Sequence, residues 1–192
     1  MSRSMRIVLA VVAAVLFLCC VAGLGLTLLG TRTVGKAVIT DPTRIAAVSS
    51  QMISYQLPSG FKELFASELL GLKMLAIGPA DPKADMLIIM LMQMPTAMKI
   101  SEDELRQQME GALTQQTGVG NASMTVVGTQ QATIRGQNIP LTMREGKTSS
   151  GQVLRQLSGL FSGPNGPIFL FVTGDAAAWD QPLVDGFIAS IR

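Results

Sequence analysis

Four methionines, Met86, Met90, Met92 and Met94, stand at even spacing in the segment DMLIIMLMQM, Asp85 to Met94. On a β-strand even spacing sends all four side chains to one face. A row of thioethers is soft-ligand chemistry of the kind that holds copper(I). Strand geometry tells against it, because alternate residues lie roughly 6.5–7 Å apart, too far for neighbouring sulfurs to share an ion easily. The methionines are also interleaved with Leu87, Ile89 and Leu91, as in a core, and methionine is an adaptable packing residue. Core packing is the expectation, and copper binding the alternative.

The remaining chemical inventory is sparse. The 192 residues contain no histidine, which removes Ser-His-Asp and Cys-His nucleophile systems, histidine zinc sites and the commonest general base near neutral pH. Both cysteines, Cys19 and Cys20, fall in an apolar run near the N-terminus, so the remainder has no thiol for a disulfide or a metal. The acidic clusters are Asp81 with Asp85, beside prolines, and Glu102-Asp103-Glu104, which reads as a helix N-terminus. Neither is a pair of acids set across a cleft. The glycines of TGVGNAS follow a helix instead of preceding one, so they read as a helix stop and not a phosphate cradle. One positive feature is the trio Arg135, Arg144 and Arg155, on or beside neighbouring predicted strands. Arg144 and Arg155 could face each other across the turn EGKTSSG, and a pair of guanidinium forks would suit a carboxylate or phosphate. Solvent-facing strand positions are the plainer reading of all three. The sequence thus predicts no catalytic residue, no metal site, no cofactor and no enzyme.

Residues 7–31, IVLAVVAAVLFLCCVAGLGLTLLGT, carry no charge. As a helix the run would reach roughly 37 Å, enough to cross a hydrocarbon core of roughly 30 Å. The expectation is one transmembrane signal-anchor over 1–30, with the lipid bilayer as partner through residues 7–31. A cleaved signal peptide is the rival, with VAG at 21–23 as its cleavage site. Arg3 and Arg6 precede the run, while Arg32, Lys36 and Arg44 follow it, so the positive charge is nearly balanced. A short basic tail before a first apolar run predicts a globular part outside the cytoplasm. With Arg3 and Arg6 set aside, 13 basic residues face 13 acidic ones, which predicts no nucleic-acid partner.

The elements that would position these residues follow from punctuation and period. Residues 31–52 read as a connector and a short helix, with Asp41 as N-cap and Pro42 at the first helical position. Lys62–Leu70 and Lys73–Ile77 predict strands around Gly71. The Asp85–Met94 run, apolar on both faces and bounded by proline and charge, predicts a central strand. Ser101 and Glu104 form a capping box before the stripe Leu105, Met109, Ala112 and Leu113. Four further strands are predicted at Met124–Ile134, Gln137–Arg144, Gln152–Phe161 and Pro167–Thr173, split by hairpin signals that include Arg135-Gly136. The chain then closes in a helix over 176–192.

This order predicts an α+β fold, a single mainly antiparallel sheet packed by helices. The segments YQLPSGFKE, SEDELRQQMEGAL, ATIRGQNIPLTMREGK, GQVLRQLSGLFSGPNGPIFLFVTG and AWDQPLVDGFIASIR together resemble the PsbP/DcrB-like family of α/β/α sandwich domains. The likeness covers about residues 53–192 and lies in order and texture, without an invariant motif. It implies a globular domain over 53–192 of a secreted or anchored kind, acting as a binding or assembly module. The functional expectation is a membrane-anchored, non-catalytic extracytoplasmic domain whose partner is another membrane or envelope protein. A ligand-binding accessory domain, for copper or a small anion, is the alternative.

Overall fold

The computed structural model describes residues 38–69, 71–81, 87–95, 104, 124–148 and 150–192. The chain divides into two compact units, Met1–Val38 and Ile39–Arg192, and apart from Val38 the elements described below belong to the second. They are β1 (Val38–Ile39), α1 (Pro42–Met52), β2 (Phe61–Leu69), β3 (Leu72–Pro79), β4 (Leu87–Gln93), β5 (Thr125–Ile134), β6 (Gln137–Lys147), β7 (Val153–Gly163), β8 (Gly166–Asp175), a single 3-10 turn (Ala176–Ala178) and α2 (Gln181–Ser190).

All eight strands join one sheet in the order β1-β2-β3-β4-β8-β7-β6-β5. The pairs from β2 to β5 are antiparallel at every step. Tight hairpins produce most of this. Arg135 and Gly136, at φ 52° and 76°, make the two-residue turn between β5 and β6, the left-handed backbone that matches strand twist. The exception to hairpin order is β4, whose neighbour on the far side is the last strand, β8, so the end of the chain is driven into the middle of the sheet.

Strand period then sorts the side chains into two faces. On one face Ala66, Leu75, Leu91 and Leu170 lie in register, with Ile77, Ile89, Val172 and Leu157 in the next row. All of these are buried, in one cluster with Ile45, Val48 and Met52 of α1 and with Val184, Phe187 and Ile188 of α2. Both helices therefore seal the same face. Each begins at an aspartate that accepts from a first-turn amide, Asp41 from Arg44 N and Asp180 from Leu183 N, both at 3.0 Å, with proline in the first turn.

Two expectations are corrected here. The fold is mostly β, an eight-stranded antiparallel sheet with two helices of 11 and 10 residues, and not the α+β, helix-packed PsbP-like sandwich expected from the sequence. The reason lies in strand length: β5 to β8 run ten or eleven residues each, because their hairpins keep pairing into segments that read as loop. The helix expected at 176–192 also shortens, since Asp175 and Asp180 each cap a separate start and leave Trp179 extended between them. Second, among the described residues no helix is long and apolar enough to cross a membrane. The two α-helices have about half the ~20 residues a span needs. The transmembrane helix expected over 7–31 lies outside the described residues, as does the helix expected after Ser101, apart from Glu104.

Candidate functional site

The methionine row lies on the face of β4 turned away from the two helices. Along Leu87–Gln93 burial alternates, with Leu87, Ile89, Leu91 and Gln93 buried and Ile88, Met90 and Met92 half-buried. Met92 stands opposite Phe169 and Met90 opposite Phe171 on β8. The two rings stack with centroids 6.4 Å apart, and Met92 packs with Phe169, Leu160 and Met94. Sulfur beside an aromatic edge is a favourable packing contact. Met86 lies outside the described residues.

The three arginines are not brought together. Arg135 occupies the β5–β6 turn and donates from Nη1 to the Ser162 carbonyl at 3.3 Å. Arg155 pairs across the ladder with Glu145, to which it donates from Nε at 2.7 Å and Nη2 at 2.6 Å, and its guanidinium lies 5.7 Å from the Trp179 ring centroid. Arg144 stands opposite Gln156, so it points to the other face of the sheet from Arg155. Only 3% exposed, it donates from Nη1 to Ser158 Oγ at 2.8 Å.

Two shallow grooves flank the turn at Pro58-Ser59-Gly60, and a third lies beside the segment that leads from α1 to it. The one at Ile53–Leu57 is lined by Ser49, Tyr55 and Glu63, and the Tyr55 hydroxyl donates to Glu63 Oε1. Burial first, then the hydrogen bond to Glu63 and its charge, push the Tyr55 hydroxyl well above its ordinary pKa of 10.0. The folded chain thus keeps this proton at a pH where the unfolded chain has lost it. The stabilisation is complete below pH about 10 and falls as pH rises further. Tyr55 is the single tyrosine, so its titration can be read directly by tyrosinate absorbance. Folded protein is expected to show no ionisation near pH 10, and Tyr55→Phe to flatten the alkaline decline of the urea midpoint. An ordinary absorbance titration of the folded protein would contradict the burial.

Another accessible feature is β5 itself. It is the last strand of the sheet, exposed over most of its length, with Val126 and Val127 at 59% and 52% exposure. A bulge lies between Val126 and Gly128; beyond it Gly128–Ile134 pairs without interruption. Ile134 and Gln137 close the two-residue hairpin and therefore exchange hydrogen bonds, so alternate pairs up the ladder do not. Thr133, Gln131 and Thr129 consequently turn their N–H and C=O groups outward. Pro140, opposite Gln131, fits this phase, because that position asks for no N–H toward β5. Edges are usually blunted by lysine, proline or shortness. The other edge is so treated, with β1 only two residues long, but β5 carries neither charge nor proline. Sequence reading found this strand but gave no sign that it would be outermost.

No family model and no curated protein matches the chain. Among solved structures, a protein from Bacteroides thetaiotaomicron is similar at a TM-score of 0.42 and 12% identity, over 72% of this chain. The similar region spans 43% of that protein.

Proposed function

We propose that this chain is a non-catalytic binding module that works beside a membrane and takes up an extended segment of another envelope protein as a further strand on β5. The observation that carries the reading is the unblunted run Gly128–Ile134, with the outward amides and carbonyls of Thr129, Gln131 and Thr133 unpaired within the sheet. Main-chain hydrogen bonds to such an edge give affinity, and alternate side chains give selectivity. The edge side chains are threonine, glutamine and valine, so the fitting partner is an uncharged strand rich in β-branched residues. The uncharged run at residues 7–31 supports the membrane setting and an extracytoplasmic domain.

A photo-crosslinking residue at Thr129 of the full chain, activated in intact membranes, tests the proposal. The expected result is an adduct with a second protein, lost when Gln131→Pro removes one outward N–H, while far-UV circular dichroism shows the sheet retained. An adduct with another copy of this chain alone, or one that survives Gln131→Pro, would overturn it.

A further inference from the structure

Among the described residues, Arg144 is a position where the packing leaves a charge unexplained. Its side chain is 3% exposed, yet the only group it bonds among the described residues is a neutral hydroxyl, Ser158 Oγ. Its Nε–H is buried without a hydrogen-bond partner among the described residues. The adjacent carboxylate, Glu145, points to the opposite face and is committed to Arg155. A guanidinium withdrawn from water is tolerated when a counter-charge and hydrogen bonds replace the water, and is costly otherwise.

The orientation of the group says what is missing. Nη1 is turned to Ser158, so the opposite edge, formed by Nε and Nη2, carries the parallel pair of donors that binds a carboxylate or phosphate bidentately. Around it the register places polar side chains on the same face: Gln156 directly opposite, Thr173 beyond it on β8, and Thr142 beside Ser158. Gln156 and Ser158 are themselves buried. The Gln156 amide and the Thr173 hydroxyl are neutral donors of the kind that complete an oxyanion's shell.

We infer that Arg144, oriented by Ser158 and flanked by Gln156 and Thr173, forms a binding site for a small oxyanion of the carboxylate or phosphate class. The site is independent of the β5 edge and stands on the opposite side of the sheet from Arg155. A bound anion stabilises the fold in proportion to its concentration.

The test is the thermal midpoint of the full chain in detergent, freed of oxyanions by refolding in chloride, then titrated with phosphate or acetate at constant ionic strength. A rise with one of them is expected, and which one identifies the class. Arg144→Met is expected to abolish the rise. Arg144→Lys, which keeps the charge but loses the fork, is expected to weaken the apparent affinity about tenfold, the loss of one hydrogen bond to a charged group. If Arg144→Met does not fold, Ser158→Ala serves instead, with the same direction of change. No response in the wild type, or an equal response in the variants, would overturn the site. So would a loss of stability in Arg144→Met that a neutral replacement of an acid within residues 96–123 makes non-additive, since the counter-charge would then be internal.

Discussion

Phe187→Ala is expected to lower the stability of the domain by about 3–5 kcal/mol, the cost of emptying an aromatic site in a packed core. Phe187 is among the largest fully buried side chains and belongs to the cluster shared by both helices and the sheet. Its ring meets Tyr55 at 5.6 Å and 57°, in the extended segment between α1 and β2. That segment is held to the end of α2 by the main chain as well, through Gln56 N to Ser190 Oγ at 3.0 Å and Arg192 N to the Ser54 carbonyl at 2.9 Å. These polar contacts fix both sides of the vacated space, so it cannot collapse fully, and the cost should sit toward the upper part of the range. Against a total of about 5–15 kcal/mol for an ordinary domain, this leaves a marginal fold. Urea unfolding should show a lower midpoint at an unchanged slope. The ionisation of Tyr55 should also move back toward its ordinary value, because part of its burial comes from that ring. A loss below about 1 kcal/mol would mean that α2 is not anchored through Phe187.

The local elements of this fold were legible wherever a residue type enforces a backbone state. Asp41-Pro42 announced α1, and Arg135-Gly136 announced the β5–β6 hairpin, because a cap and a two-residue turn are decided within a few residues. Asp180-Gln181-Pro182 carries the same start signal as Asp41-Pro42, but it is masked by the apolar period around it, so the segment reads as one long helix where a 3-10 turn and α2 form. The position of β8 was not legible. Its insertion between β4 and β7 depends on which rows of side chains fit together across the sheet, and no local signal encodes that. The facing of Arg144 and Arg155 across the turn is absent for a narrower reason. Glu145, not Arg144, stands opposite Arg155, and a shift of one residue in a ladder sends a side chain to the other face. A favourable pair, Glu145 with Arg155, replaced the unfavourable like-charged one, and Arg144 was left on the far side with Ser158. Charge pairing could have suggested the register, since like charges set opposite each other are penalised.

The same row logic gives the second large effect, at Gly159. In the buried row that runs Ala66, Leu75, Leu91 and Leu170, the next position on β7 is a glycine. Leu141 of β6 fills the space: a Cβ built on Gly159 would stand 2.3 Å from Leu141 Cδ2 and 3.3 Å from the Pro140 carbonyl oxygen. The backbone at Gly159 is not left-handed, so alanine meets no conformational strain there and the whole penalty is steric. Leu141 is fully buried, so its side chain can give way only by repacking among its neighbours. Gly159→Ala is therefore expected to cost about 3 kcal/mol, the top of the usual range for overpacking. Leu141→Ala alone should cost about 2–5 kcal/mol through the cavity it leaves. The double variant returns a methyl group to that cavity, so its loss should be smaller than the two single losses added, with a coupling of about 1 kcal/mol or more between residues in contact. Additive losses in urea unfolding would show that the two side chains do not share this space, and the register of β6 against β7 at that end of the sheet would have to be redrawn.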